Sequence, residues 1–153
     1  MQGCNSAGRR LIVSLMTKFL LPLLFAIFIA TSTQAAAPKP EDLARTAAEE
    51  WLMLVDGNKF VESWQKLDPG FAKKVSKKKW TASLTEIRGP LGKLESRKLK
   101  SAEYTKELPG APEGEYVGLQ FDVTFDRKKA ATEKVTMILG KDLLWRATGY
   151  SVK

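Results

Sequence analysis

The cleanest hydrophobic pattern in the chain runs from Tyr116 to Asp126. Val117, Leu119, Phe121, Val123 and Phe125 alternate with Gly118, Gln120, Asp122 and Thr124. A period of two predicts a strand with one face buried and the other wet. One strand cannot bury such a face alone, so other elements must pair with it and cover it. The stretch before it, Leu108-Pro-Gly-Ala-Pro-Glu-Gly114, is built of turn residues.

Upstream the period changes. Leu43, Ala47, Trp51, Leu54 and Val55 recur at helical spacing and predict an amphipathic helix over 41–56. Glu41 and Asp42 suit the positive end of its dipole, and Gly57 is placed to end it in a left-handed cap. Trp51 reads as core rather than as a pocket wall. Asn58 stands where it would cap a second helix with the stripe Phe60, Val61, Trp64 and Leu67, broken by Asp68-Pro-Gly70. Phe71 and Val75 suggest a short helical turn. Ser76 would cap a further helix with the stripe Trp80, Leu84 and Ile87, stopped by Gly89-Pro90.

Residues 94–108 read as a strand of poor alternation, which predicts a bulge. Val135, Met137 and Leu139 alternate in another strand, and Gly140-Lys-Asp142 turns it into a last one over 143–152. There Trp145 and Ala147 oppose Leu144, Tyr150 and Val152 in parity, which predicts a strand inside the sheet or beneath other elements. Helices followed by four strands joined by short turns give an α+β class. The expected form is N-terminal helices packed on a curved, cone-like, four-stranded antiparallel sheet.

The first 37 of the 153 residues do not belong to this pattern. Arg9, Arg10 and Lys18 precede the apolar run 19–30, and Ala35-Ala-Ala37 follows a polar stretch. Basic region, short apolar run and small residues together predict a secretory signal peptide, cleaved after Ala35 or Ala37. The alternative is an uncleaved anchor, but the run is short of the roughly 20 residues that a span needs. Met16 begins an equally complete signal and is a second candidate start. A single domain over 38–153, periplasmic or secreted and with no transmembrane span after cleavage, is the expectation. Cys4 precedes the apolar run, where a lipidated cysteine would follow it, and the chain has no histidine. The domain therefore lacks a disulfide, a cysteine–histidine or serine–histidine pair and the commonest zinc ligands. No motif for a metal, nucleotide or other cofactor is present. An enzyme would have to work through a carboxylate or tyrosine such as Asp122, Asp126, Tyr104, Tyr116 or Tyr150, and the two aspartates share the strand's wet parity.

The formal charge is +8; without Arg9, Arg10 and Lys18, 22 basic residues face 17 acidic ones, leaving +5. The dense part is Lys73-Lys-Val-Ser-Lys-Lys-Lys79. Lys77, Lys78 and Lys79 are candidates for binding an anionic lipid or polymer, against the plainer reading of a solvated helix start. No stacked-aromatic pattern accompanies them, so nucleic acid is not an expected partner.

Several stretches together carry a family resemblance: Glu49-Glu-Trp-Leu-Met-Leu-Val-Asp-Gly57, Ser63-Trp64, Arg88-Gly-Pro-Leu-Gly92, Tyr104, 108–117, Gln120-Phe121, Trp145-Arg146 and Gly149-Tyr150. They resemble the bacterial domain-of-unknown-function family 4019, small exported domains, over residues 43–152. That resemblance implies an exported single domain and supplies no catalytic residues. The order of elements is also similar to the cone-shaped fold of nuclear-transport-factor-two-like and ketosteroid-isomerase-like proteins, a fold that hosts many functions. It implies a pocket between sheet and helices, with Trp64, Phe121 and Trp145 as candidate walls for a small apolar ligand. Three functions stay open: a periplasmic binding or accessory domain, an envelope-surface protein that binds anionic lipid or polymer, and an isomerase-like or hydrolase-like enzyme.

Overall fold

A computed structural model describes residues 37–153. The expected signal segment, its Ala35 cleavage point and Met16 lie outside the described residues. Among the described residues no helix is long and apolar enough to cross a membrane. Four helices come first: α1 (Pro40–Asp56), α2 (Phe60–Gln65), α3 (Pro69–Lys74) and α4 (Lys77–Arg88). An open antiparallel sheet follows, with β1 (Leu94–Thr105), β2 (Tyr116–Phe125), β3 (Ala131–Leu139) and β4 (Trp145–Val152) in the spatial order β1-β2-β3-β4. The class is α+β, as the order of periodicities predicts.

α1 lies across the sheet and touches all four strands. Its core side chains are Ala44, Ala48, Trp51, Leu52 and Val55. The expected stripe is thus turned by about one residue: Leu43 is exposed and Ala47 and Leu54 are half-buried. Gly57 ends the helix at φ −78°, and the left-handed position belongs to Asn58 at φ 56°. Asparagine tolerates that conformation better than most residues. Asn58 is therefore the turn itself, and the cap position of α2 falls to Lys59, without a side-chain bond. α3 and α4 are capped through side chains, Asp68 accepting from Phe71 N at 2.9 Å and Ser76 from Lys79 N at 3.3 Å.

The apolar parity of β2 is buried along its whole length, and Phe121 and Phe125 are fully enclosed. On β1 two register shifts, at Leu94/Ser96 and Leu99/Ser101, keep Leu94, Arg97, Leu99, Ala102 and Tyr104 opposite the core-facing residues of β2. β4 is an edge strand, not an interior one, and of the two readings it is the second that holds, since α1 packs over it. A shift at Thr136/Met137 pairs Met137 with Ala147 but Val135 with Tyr150, so the parity flips and both apolar sets face the core. Its outer edge is partly closed where Asp68 N donates to Ala147 O at 3.0 Å. Above the sheet Ser63 ties two tryptophans together. Its carbonyl accepts from Trp51 Nε1 and its hydroxyl from Trp80 Nε1, both at 3.0 Å.

The α4–β1 connection needs a glycine. Gly92 has φ 78°, and a Cβ there would fall 1.6 Å from Asp126 Oδ1, the atom that accepts from Lys93 N at 2.9 Å. Gly92→Ala is expected to break that bond and strain the turn, lowering stability by about 1–3 kcal/mol in urea unfolding. A loss below about 0.5 kcal/mol would show that the turn re-forms freely.

Candidate functional site

Two features stand out once the core is accounted for: a groove and a buried box of charges. The groove, about 570 Å³, runs between α1 and the β3–β4 turn. Leu43, Ala47 and Leu54 of α1 form one wall, and Leu143, Leu144 and Trp145 the other. Glu50 and Lys66 are exposed at its margin, and one edge of Trp51 reaches it from the core. The turn that carries the leucines is held firmly. Gly140 N donates to Leu144 O at 2.9 Å, and the Asp142 carboxylate grips Arg146 through two bonds of 2.6 and 2.8 Å. Arg146 lowers the Asp142 carboxyl from 3.8 to about 2. A depressed carboxylate holds its grip at every pH above that value and loses it only as pH falls through about 2. Leu143 sits at φ 61° and is 77% exposed. A left-handed leucine costs about 1–2 kcal/mol, and its side chain regains little of that in water.

Two smaller clefts lie elsewhere. One of about 330 Å³ is formed by α3, the 108–112 loop and the outer face of the sheet, with Phe71, Tyr116 and Ile138 in its walls. The other is an open depression over Lys98, Asp122, Lys129 and Lys153.

The box lies inside the same fold, between the ends of α1 and α4 and the sheet. Asp56 and Glu133 alternate with Arg88 and Arg97. Arg88 reaches Asp56 at 2.8 Å and Glu133 at 3.3 Å. Arg97 reaches Asp56 at 2.8 Å and Glu133 at 2.6 Å. The Tyr150 hydroxyl donates to Glu133 Oε1 at 2.7 Å, and the Arg88 guanidinium lies 4.6 Å from the Phe125 ring centre. The Glu133 side chain is 0% exposed. Burial pushes the Tyr150 phenol well above its ordinary range; Glu133 adds to the shift and Arg88 opposes it. Burial by itself would lower the Arg97 guanidinium, but its bonds to Asp56 and Glu133 outweigh that and hold it above its usual range. Two cations meet two anions, and each carboxylate oxygen accepts at least one hydrogen bond. Both carboxylates are thus committed within the cluster, and among the described residues no group of acidic side chains is arranged to hold a metal.

The candidate residues fall in different places. Trp145 lines the groove. Phe121 is fully buried at the centre of β2. Trp64 packs against the core and donates Nε1 to Val75 O at 2.8 Å. The three do not share a cavity. Lys77, Lys78 and Lys79 stand exposed on the first turn of α4. Among the tyrosines only Tyr150 joins a buried ionic cluster, and Asp122 and Asp126 are exposed. The groove's α1 wall consists of Leu43, Ala47 and Leu54, positions that the sequence pattern assigns to the core stripe of the helix. The box was missed, although Glu133 shares the parity of Val135 and Met137, and Arg88 follows Leu84 by one helical turn.

The model of a family described as a protein of unknown function (DUF4019) matches residues 47–150. No curated protein matches the sequence. Solved structures similar to the chain include one from Catenulispora acidiphila, with 9% identity, a TM-score of 0.49 and coverage of 72% of this chain and 88% of the other. Another is Aln2 from a Streptomyces species, with 11% identity, a TM-score of 0.46 and coverage of 76% of this chain and 92% of the other. Likenesses at this level bear on neither fold nor function.

Proposed function

The chain belongs to the DUF4019 family, proteins of unknown function, and from that premise we propose that it is an exported binding domain that holds a small apolar ligand in the groove between α1 and the β3–β4 turn. The observation that carries this reading is the rigid turn that presents Leu143 and Leu144 to solvent, 77% and 56% exposed, beside a half-exposed Leu43. Surface leucines scattered singly need no explanation, but three around one groove, one of them in a strained backbone, do. A groove of this volume with an apolar lining and a few charged groups at its margin is of the usual size for a small-molecule site. Export rests on the basic residues, apolar run and alanines before residue 38, and it places the domain in the periplasm or outside the cell. The helices-then-sheet order supports the proposed likeness to the nuclear-transport-factor-two-like cone. In this chain the space between sheet and helices is filled by Phe121, Val123, Phe125 and the charged box, so the ligand space lies at its margin.

Leu143→Asn tests the reading directly. Asparagine accepts the left-handed backbone, so thermal stability should stay level or rise by up to about 1 kcal/mol. Binding of an apolar fluorescent probe, read by energy transfer from the domain's tryptophans, should fall several-fold. A variant that binds the probe as well as the wild type would remove the groove from consideration.

A further inference from the structure

The domain's charge is unevenly spread. From residue 37 onward there are 22 basic and 17 acidic residues, an excess of five. Between Lys66 and Lys79 stand six lysines and one acidic residue, Asp68, also an excess of five. The rest of the domain is therefore neutral overall, and its whole net positive charge comes from the segment that joins α2, α3 and α4. Lys66, Lys73, Lys74, Lys77, Lys78 and Lys79 are all exposed. The lysine ion pairs among the described residues are Lys59–Glu62, Lys100–Asp122 and Lys129–Glu95, and none involves these six. Like charges this close repel one another, and a dense anionic surface would relieve them.

The chemistry of the patch narrows the partner. All six cations are lysine, a point charge without the planar fork that selects a phosphate geometry. Neighbouring aromatics are turned inward: Trp80 is 7% exposed, and Trp64 spends its N–H on Val75 O. Phe71 is half-buried and packs edge-on against Trp80, so no fully exposed ring is left as a stacking platform for bases. Lys66 reaches the groove and Lys74 the 330 Å³ cleft, one lysine each, and Lys73 and Lys77–Lys79 line none of the three, so no cleft runs along the patch to track a strand. What remains is a surface that senses charge density alone.

We propose that the Lys73–Lys79 corner docks the domain on a bilayer rich in anionic phospholipid, leaving free the groove, which none of these five lysines lines. The attraction is electrostatic, so it weakens as salt shortens the Debye length from about 10 Å at 0.1 M towards 3 Å at 1 M. The test is flotation of the purified protein with vesicles of phosphatidylglycerol and phosphatidylcholine, and with phosphatidylcholine alone, at 0.05 and 0.5 M NaCl. The wild type should bind the anionic vesicles at low salt and leave them at high salt. The combined change K77Q/K78Q/K79Q should lower partitioning at least about tenfold. The control K98Q/K134Q/K153Q, which removes the same charge from elsewhere, should stay within about twofold. Failure of the wild type to bind, equal loss in both variants, or capture by soluble polyphosphate without binding to vesicles would each overturn the proposal. The probe-binding result for the groove is read independently, because no residue changed here lines it.

Discussion

Glu133→Leu is expected to cost about 3–5 kcal/mol, among the largest losses of any single change in the domain. Glu133 is fully buried and accepts from Arg88, Arg97 and Tyr150. Removing it leaves two guanidinium groups facing Asp56 alone, a net cation in a largely buried site. Urea unfolding should show a midpoint lowered by that amount with little change in slope. The paired change Glu133→Leu with Arg97→Met restores neutrality, keeps the Arg88–Asp56 bond of 2.8 Å, and should cost less than the sum of the two single changes by more than about 1 kcal/mol. If the single change costs under about 1 kcal/mol, the box is not a coupled unit.

The second large effect concerns Phe121. It is fully buried at the middle of β2, the strand on which β1 and β3 both pair. Phe121→Ala should cost about 3–5 kcal/mol through lost burial and the cavity left behind. The same change should leave probe binding in the groove unaltered under conditions where the variant is folded. Lost binding with little loss of stability would instead make Phe121 a pocket wall and contradict the core assignment.

What was legible in the sequence depended on how local the cause was. β2 could be read residue by residue because both its neighbours pair with it and its register has no shift towards β3. The disorderly alternation of β1 announced its bulges but not their result, which is that Arg97 joins the core face. In β4 the same kind of shift imitated an interior strand, because Ala147 and Tyr150 differ in parity yet face the same way. The box could not be read from spacing. Its members are brought together by tertiary packing, with Arg88 and Glu133 45 positions apart in sequence. The groove was half legible: Leu43, Ala47 and Leu54 formed a visible helical stripe, but which of α1's two adjacent apolar stripes meets the sheet depends on packing.

The most direct test of the groove is native mass spectrometry of the protein recovered gently from a bacterial periplasm, compared with Leu143→Asp recovered in the same way. The account predicts that a fraction of the wild type carries extra mass of small-molecule size, released by organic solvent, and that the variant carries none while remaining folded. Wild type found free of added mass, and gaining none when offered a series of apolar small molecules, would contradict it.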